Sequence, residues 1–158
     1  MRVDIWSDVV CPFCYIGKKR LEAASAQVGV ELEVHWHSFQ LDPDAPERQE
    51  ISNSERLAQK YGRTLAEVED MQRNIASMAA EEGIQFNWEQ ANSGNTLNAH
   101  RLIHLAQSKG LGNEAKEAFF YSYMTQGLAI GERETLEDVA ARIGLNPVEV
   151  DDVLDSDA

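Results

Sequence analysis

The sequence has little cysteine, little proline and few basic residues, and each shortage argues against a class of protein. Two of the 158 residues are Cys and four are Pro, while 14 Lys and Arg stand against 27 Asp and Glu. The resulting net charge of −13 repels phosphate backbones, so no nucleic-acid partner is expected. A lone, closely spaced cysteine pair is typical of catalytic, redox-sensing or metal-binding sites rather than of a structural disulfide framework.

Long apolar runs are missing as well. No run approaches the roughly 20 apolar residues that a bilayer-spanning helix needs. The opening MRVDIWSD has neither the basic start nor the apolar stretch of a signal peptide. We therefore expect a soluble protein of the cytoplasm that has no membrane partner.

Two segments near the N-terminus have the pattern of β-strands. VDIW (3–6) is a short apolar run, and VELEVHWHSF (30–39) alternates apolar with polar residues. The stretch from Pro12 to Val28 between them predicts a helix. A strand, helix and strand of this length normally form a right-handed crossover between parallel strands. The sequence thus predicts an α/β fold.

Helical patterns follow from residue 41 onward. Helix starts are predicted at capping residues, namely Thr64, Asn95 or Thr96, Thr135, and Asn146. Helix ends are predicted at Gly83, Gly110, Gly127 and Gly144. We therefore expect an N-terminal sheet segment with the cysteine pair in residues 1–40 and a helical segment in residues 41–158, whose last helix returns toward the first segment.

The two cysteines lie at the predicted start of the first helix, in Cys-Pro-Phe-Cys. Pro12 is a favoured first-turn residue, so Cys11 is predicted at the helix edge, where free N–H groups and the helix dipole favour a thiolate. Cys11 is therefore the predicted nucleophile. Cys14 is predicted to be the more buried, resolving thiol, because it shares a stripe with Gly17, Leu21, Ala24 and Val28. Thiol-disulfide exchange needs such an asymmetric pair.

The sequence also predicts roles for the residues around the cysteine pair. Pro12 and Phe13 are predicted to contact the substrate. We expect Gly17 to mark a close approach of helix and strand, the basic run 18–20 to be solvated, and the carboxylates to lie on the solvated surface without a catalytic role.

Three segments together resemble a known family: DVVCPFCYIGKKRLE, NTLNAHRLIHLA and LAIGERETLEDVAARIGL. They are similar to DsbA-like oxidoreductases of the FrnE type, relatives of 2-hydroxychromene-2-carboxylate isomerase and kappa-class glutathione transferases. The resemblance implies a thioredoxin-like fold with a helical insertion after the second strand. It also implies dithiol-disulfide exchange through Cys11 and Cys14 on protein or low-molecular-weight thiols, glutathione among them, without a cofactor.

One part of the family pattern has no match in the chain. The family continues into a β-β-α portion with a cis-proline loop that faces the cysteines, and none of the four prolines is placed to be that residue. We therefore expect the C-terminal strands of the fold to be missing from this chain. The sheet face with Val34 and Trp36 would then be partly uncovered, which favours self-association.

Three alternatives stay open. A glutathione-dependent isomerase or transferase is one, although those relatives bear serine where Cys11 stands. A zinc site is another, with both cysteines and His100 and His104, or with the pair His35 and His37. The third is an inactive fragment that serves as an interaction module.

Overall fold

A computed structural model describes residues 1–156, which form two β-strands and seven α-helices. The first three elements are β1 (Arg2–Ser7), α1 (Pro12–Val28) and β2 (Glu33–Ser38). The remaining elements are α2 (Asn53–Tyr61), α3 (Leu65–Glu81), a 3-10 turn (Trp88–Gln90), α4 (Leu97–Ser108), α5 (Gly112–Met124), α6 (Arg133–Arg142) and α7 (Pro147–Asp155). The predicted α/β class is confirmed. Within residues 1–156, none of the helices has the length and apolar character that a bilayer span requires.

The two strands pair in parallel, with Ile5 opposite Trp36. Because side chains alternate along a strand, this register places the apolar residues of both strands on one face. Trp36 on that face is buried at 2% exposure, since α4 and α5 pack against β2. Val3, Ile5 and Val34 are half-buried. We expected this sheet face to be partly exposed, and for Trp36 that expectation is wrong. Self-association through this face stays a prediction.

The outer edge of β2 is capped by a side chain of α4. The Gln107 amide oxygen accepts from the Trp36 N–H at 2.9 Å, and its amide nitrogen donates to the Trp36 carbonyl at 3.3 Å. The Trp36 indole N–H donates to Asn113 Oδ1 at 3.2 Å. One glutamine thus satisfies the backbone groups that a neighbouring strand would otherwise satisfy.

Helix α1 has the predicted ends but buries a different face. It starts at Pro12 and ends at Gly29, whose φ of 68° is in the left-handed region. Its buried residues are Tyr15, Ile16 and Lys18, because Tyr15 stacks on Phe120 of α5 with 4.8 Å between ring centroids. Val28 on the predicted stripe is 69% exposed.

Two further expectations about α1 are wrong. A Cβ at Gly17 would meet nothing within 4 Å, so no close approach to a strand explains this glycine. Lys18 is 5% exposed and forms ion pairs of 2.6 Å with Glu22 and Glu117, so it does not belong to a solvated face.

The capping residues predict the starts of three of the six later helices, namely α3, α4 and α7. Thr64 and Glu67 form the expected reciprocal capping box, and α4 and α7 begin directly after Thr96 and Asn146. Helix α6 begins at Arg133 after the cap Glu132, three residues before the start predicted from the cap Thr135. The prediction missed α2, although Ser52 and Glu55 form a second capping box.

The core centres on α5, which packs against α1, α4, α6 and β2. Helix α5 is buried on several faces, since Phe119 and Phe120 are fully buried and Met124 is 1% exposed. An element that contacts both the strands and the helices holds the cysteine-bearing α1 and the helical segment in one arrangement.

The loop between β2 and α2 is held closely against two glycines. Asn95 N–H donates to the Pro46 carbonyl at 2.8 Å, and the Asn95 side chain donates to the carbonyls of Pro43 and Ala45 at 3.0 Å. A Cβ at Gly94 or Gly131 would lie 2.0 or 2.1 Å from the Glu47 carbonyl oxygen. Only glycine permits this approach of the loop.

Two glycine substitutions should therefore act in opposite directions. Gly131→Ala should lower the free energy of unfolding by about 1–3 kcal/mol, because the added methyl collides with backbone. Gly17→Ala should raise it by up to about 1 kcal/mol, because alanine is the better helix former and the position is open. Urea unfolding of both variants checks this. Equal effects would contradict the described position of the loop.

Candidate active site

Cys11 occupies the position directly before α1. Its backbone is extended, with φ of −92° and ψ of 109°, and Pro12 follows as the first helical residue. The Cys11 N–H donates to the Asp8 carbonyl at 3.3 Å, and its own carbonyl accepts from Cys14 N–H at 3.1 Å. The sulfur of Cys11 therefore stands at the end of a helix where the first N–H groups are free.

The two thiols interact directly, and their pKa values move apart. A hydrogen bond from the Cys14 thiol, followed by the N–H groups of Cys14 and Phe13, lowers the pKa of Cys11 from 9.0 to about 7, against the opposing effect of burial. The same hydrogen bond, burial and the Cys11 charge raise the pKa of Cys14. The lowered pKa of Cys11 agrees with the thiolate expected there, but the partner thiol contributes more than the helix start. Both cysteines are half-buried, so Cys14 is not distinguished by burial as predicted.

Asp8 is buried beside the pair, which contradicts the expectation that every carboxylate lies on the surface. It is 1% exposed, and its carboxylate accepts from Val9 N–H at 2.8 Å, Leu41 N–H at 2.7 Å and His100 Nε2 at 3.1 Å. Burial acts to raise the pKa of Asp8, but the hydrogen bonds from His100 and Leu41 outweigh it, so the pKa is lowered. Asp8 is therefore an anion close to both sulfurs.

Lys116 supplies a buried cation near the pair. It is fully buried, its Nζ donates to the Ser7 carbonyl at 3.3 Å, and Nζ lies 5.3 Å from the ring centroids of Trp36 and Phe120. Burial lowers the pKa of Lys116 to about 8, although the charges of Asp8, Cys14 and Cys11 oppose this. In turn, the Lys116 charge acts to lower the pKa of Cys14.

A cleft of about 310 Å³ opens beside Cys11. The predicted contact residues Pro12 and Phe13 both line it, and Phe13 is 57% exposed. Helices α2 and α3 and the loop after β2 form its other walls. A molecule held in the cleft would therefore lie next to the more acidic of the two sulfurs.

The histidines of the zinc alternative have other partners. His100 bonds to Asp8, and His104 Nε2 lies 2.7 Å from Ser38 Oγ. His35 and His37 lie 2.9 Å from carboxylate oxygens of Glu33 and Asp4. Within residues 1–156, no group of three His, Cys, Asp or Glu side chains is arranged to hold a metal ion.

Asp8 and Lys116 are the site residues that sequence reasoning missed. A weak signal exists for each. Asp8 stands three residues before Cys11 at the end of a strand, and Lys116 precedes Phe119 and Phe120 by three and four residues, on the same side of α5. A charged residue within an otherwise apolar face is a candidate for a buried functional group.

Known proteins share the sequence pattern and the fold of this chain. A model of the family described as DSBA-like thioredoxin domain matches residues 2–158. The crystal structure of a probable DsbA oxidoreductase from Streptomyces coelicolor is 34% identical with a TM-score of 0.90, over 99% of this chain and 68% of that one. The uncharacterised protein YwbO of Bacillus subtilis is 25% identical over 147 residues, which are 92% of this chain and 68% of that protein.

A more distant structure shares the fold alone. The cytosolic disulfide reductase DsbM from Pseudomonas aeruginosa, solved with GSH, is 17% identical with a TM-score of 0.62. The superposition covers 99% of this chain and 73% of the reductase. The predicted thioredoxin-like fold is confirmed by the family match over residues 2–158 and by the Streptomyces coelicolor structure.

Removal of the Cys14 thiol should raise the pKa of Cys11. Cys14→Ala takes away the hydrogen bond that contributes most to the low value, so the midpoint of Cys11 alkylation by iodoacetamide should move up from about 7 by at least one pH unit. Cys14→Ser keeps a hydroxyl donor and should stay closer to the wild type. An unchanged midpoint in Cys14→Ala would assign the low pKa to the helix start instead.

The effect of Lys116→Met on the free energy of unfolding should change sign between pH 7 and pH 10.5. The pKa of Lys116 in the folded state, about 8, lies below the 10.5 of the unfolded chain, so the unfolded chain binds more protons between these values and folding gains stability as pH rises. The charged lysine therefore costs about 3 kcal/mol below pH 8. Loss of its bond to Ser7 costs the variant about 1 kcal/mol at every pH.

The variant should consequently be about 2 kcal/mol more stable than the wild type at pH 7 and less stable near pH 10.5. Urea unfolding at both pH values measures the difference. Lys109→Met is the matched control, because Lys109 pairs with Glu149 at the exposed surface and should change stability by less than about 1 kcal/mol at pH 7. A variant less stable than the wild type at pH 7 would contradict the assignment.

Proposed function

The chain belongs to the family of DSBA-like thioredoxin domains, and on this basis we propose that it is a dithiol-disulfide oxidoreductase of the FrnE type. Cys11 is the attacking nucleophile and Cys14 the resolving thiol. The single observation that carries this proposal is the hydrogen-bonded thiol pair at the start of α1, with a lowered pKa at Cys11 and a raised pKa at Cys14.

The reaction proceeds in two exchange steps. The Cys11 thiolate attacks one sulfur of a substrate disulfide, forms a mixed disulfide and expels the other substrate sulfur as a thiolate. Cys14 then loses its proton and attacks the Cys11 sulfur, which forms the Cys11–Cys14 disulfide and releases the second substrate thiol. The protein loses two electrons, and the substrate disulfide gains them.

The buried charges support the second step. Cys14 holds its proton while Cys11 is a thiolate, because it is the donor of the hydrogen bond between them. Once Cys11 is bound in the mixed disulfide, that negative charge is gone, and the Lys116 cation favours the Cys14 thiolate. Lys116 thus acts as a positioning charge for the resolving step. Asp8 raises the pKa of Cys11, which limits how acidic the first thiol becomes.

The substrate class is part of the proposal. The proposed substrates include both protein disulfides and low-molecular-weight disulfides. Glutathione is among them because the DsbM structure that shares the fold was solved with GSH. The expected cytoplasmic location and the division into segments 1–40 and 41–158 stay predictions. A reducing compartment would keep both thiols available for this chemistry.

Single substitutions at the two cysteines should have different consequences. Cys14→Ser should accumulate mixed disulfides with a scrambled protein substrate, about tenfold above Cys11→Ser, because no thiol remains to release the substrate. Cys11→Ser should lose exchange activity. Non-reducing electrophoresis after incubation measures both, with the double Ser variant as the control. Equal trapping by the two single variants would show that the roles of the sulfurs are assigned wrongly.

A further inference from the structure

The cleft beside Cys11 combines apolar walls with an unsatisfied buried amide. Its apolar lining residues are Val10, Leu41, Leu57, Met71, Ile75 and Phe86. Gln72 of α3 lines the same cleft and is 2% exposed, and its amide nitrogen has no hydrogen-bond partner among residues 1–156. An unpaired buried donor is energetically unfavourable, and a ligand with an acceptor atom would satisfy it.

The charges at the cleft have the opposite sign to the chain as a whole. Arg56 and Lys60 line it together with one carboxylate, Asp42, and the Cys11 thiol, so basic side chains outnumber carboxylates there in a protein of net charge −13. Arg56 is held in place by Ser93 at 3.1 Å, Asn53 at 3.2 Å and Asp42 at 3.4 Å. Within residues 1–156, Lys60 has no carboxylate in ion-pair contact, and its Nζ lies 3.4 Å from the Leu41 carbonyl. The cleft therefore favours an anionic group.

The dimensions indicate a small ligand. A volume of about 310 Å³ is at the lower end of the range for small-molecule sites. Because Cys11, Pro12 and Phe13 form one wall, a disulfide bound in the cleft would lie next to Cys11.

We propose that this cleft is the specificity site for low-molecular-weight disulfides that carry a carboxylate on an apolar, preferably aromatic, body. The Gln72 amide and the Lys60 ammonium receive the carboxylate, and the apolar walls receive the body. This inference rests on the proposed nucleophilic role of Cys11 and adds the substrate class to it.

Two aromatic disulfides test the proposal. The first, 5,5′-dithiobis(2-nitrobenzoate), bears a carboxylate on each ring, and the second, 4,4′-dithiodipyridine, bears none. Each reacts with the reduced protein to give two free thiols and the Cys11–Cys14 disulfide, so electrons balance. The rate constants at pH 7 are divided by those of N-acetylcysteine with the same probe, which removes intrinsic reactivity.

Gln72→Leu should lower the ratio of the carboxylate probe to the neutral probe about tenfold, the effect of one lost hydrogen bond to a charged group. Lys60→Met should lower it in the same direction. Gln27→Leu, at an exposed position of α1, is the matched control and should leave the ratio unchanged. A ratio that changes less than twofold in both Gln72→Leu and Lys60→Met would overturn the proposal.

Thermal unfolding separates recognition from a structural role. Leucine replaces an unpaired buried amide at similar volume, so Gln72→Leu should raise the Tm by about 2 °C or more while the ratio falls. A Gln72→Leu variant that loses both Tm and ratio would assign Gln72 to the structure of the cleft and count against a recognition role.

A binding measurement makes the result independent of exchange. The thioether 5-methylthio-2-nitrobenzoate cannot react with thiols, and its Kd for the wild type and for the Cys11→Ser, Cys14→Ser double variant can be followed by NMR titration. We expect binding to both, at least fivefold weaker after Gln72→Leu. Binding without any disulfide exchange would support the cleft as a ligand site and contradict the proposed function. Exchange without binding at millimolar ligand would support the proposed function and contradict the ligand site.

Discussion

The structure depends on one buried carboxylate. Asp8 receives hydrogen bonds from its own strand end at Val9, from the loop after β2 at Leu41, and from α4 at His100. A carboxylate without water is stable only when its oxygens are fully paired, so these three parts of the chain can move apart only at a large energetic cost. Because the Asp8 carbonyl also accepts from Cys11 N–H, the same residue orients the start of α1.

The hydrogen bond between the two thiols keeps chemically identical side chains different, and the buried charges limit that difference. Asp8 raises the pKa of Cys11 and Lys116 lowers that of Cys14, while the hydrogen bond between the thiols separates the two values. Such a separation is needed for an ordered exchange, in which one sulfur always reacts first. The cation that favours the Cys14 thiolate is a lysine among aromatic rings, at a position where an apolar side chain would be more favourable for folding. The proposed resolving step therefore explains Lys116 better than stability does.

The features predicted from sequence are those set by neighbouring residues. Pro12 and the Thr64–Glu67 box mark helix starts because capping involves residues only a few positions apart. The buried face of α1 was predicted wrongly because Tyr15 and Lys18 are held by Phe120 and Glu117, about a hundred residues later.

The missed site residues have the same explanation. Asp8 and Lys116 belong to residue types that are rarely buried, and the partner that reveals Asp8, His100, lies 92 positions away in the chain. The cysteine pair was recognisable because its spacing and its place before a helix are both local. The charges that tune it are brought together by tertiary packing alone.

The Gln107 side chain has a consequence for how the sheet can extend. By bonding both the N–H and the carbonyl of Trp36, it occupies the outward-facing backbone groups in the middle of β2 with a partner that has no backbone continuation. An incoming strand, from this chain or from another molecule, would have to displace that amide before it could align there. A further strand can therefore pair more readily with β1 than with β2. The β2 edge, which α4 covers at Trp36, is protected against edge-to-edge aggregation.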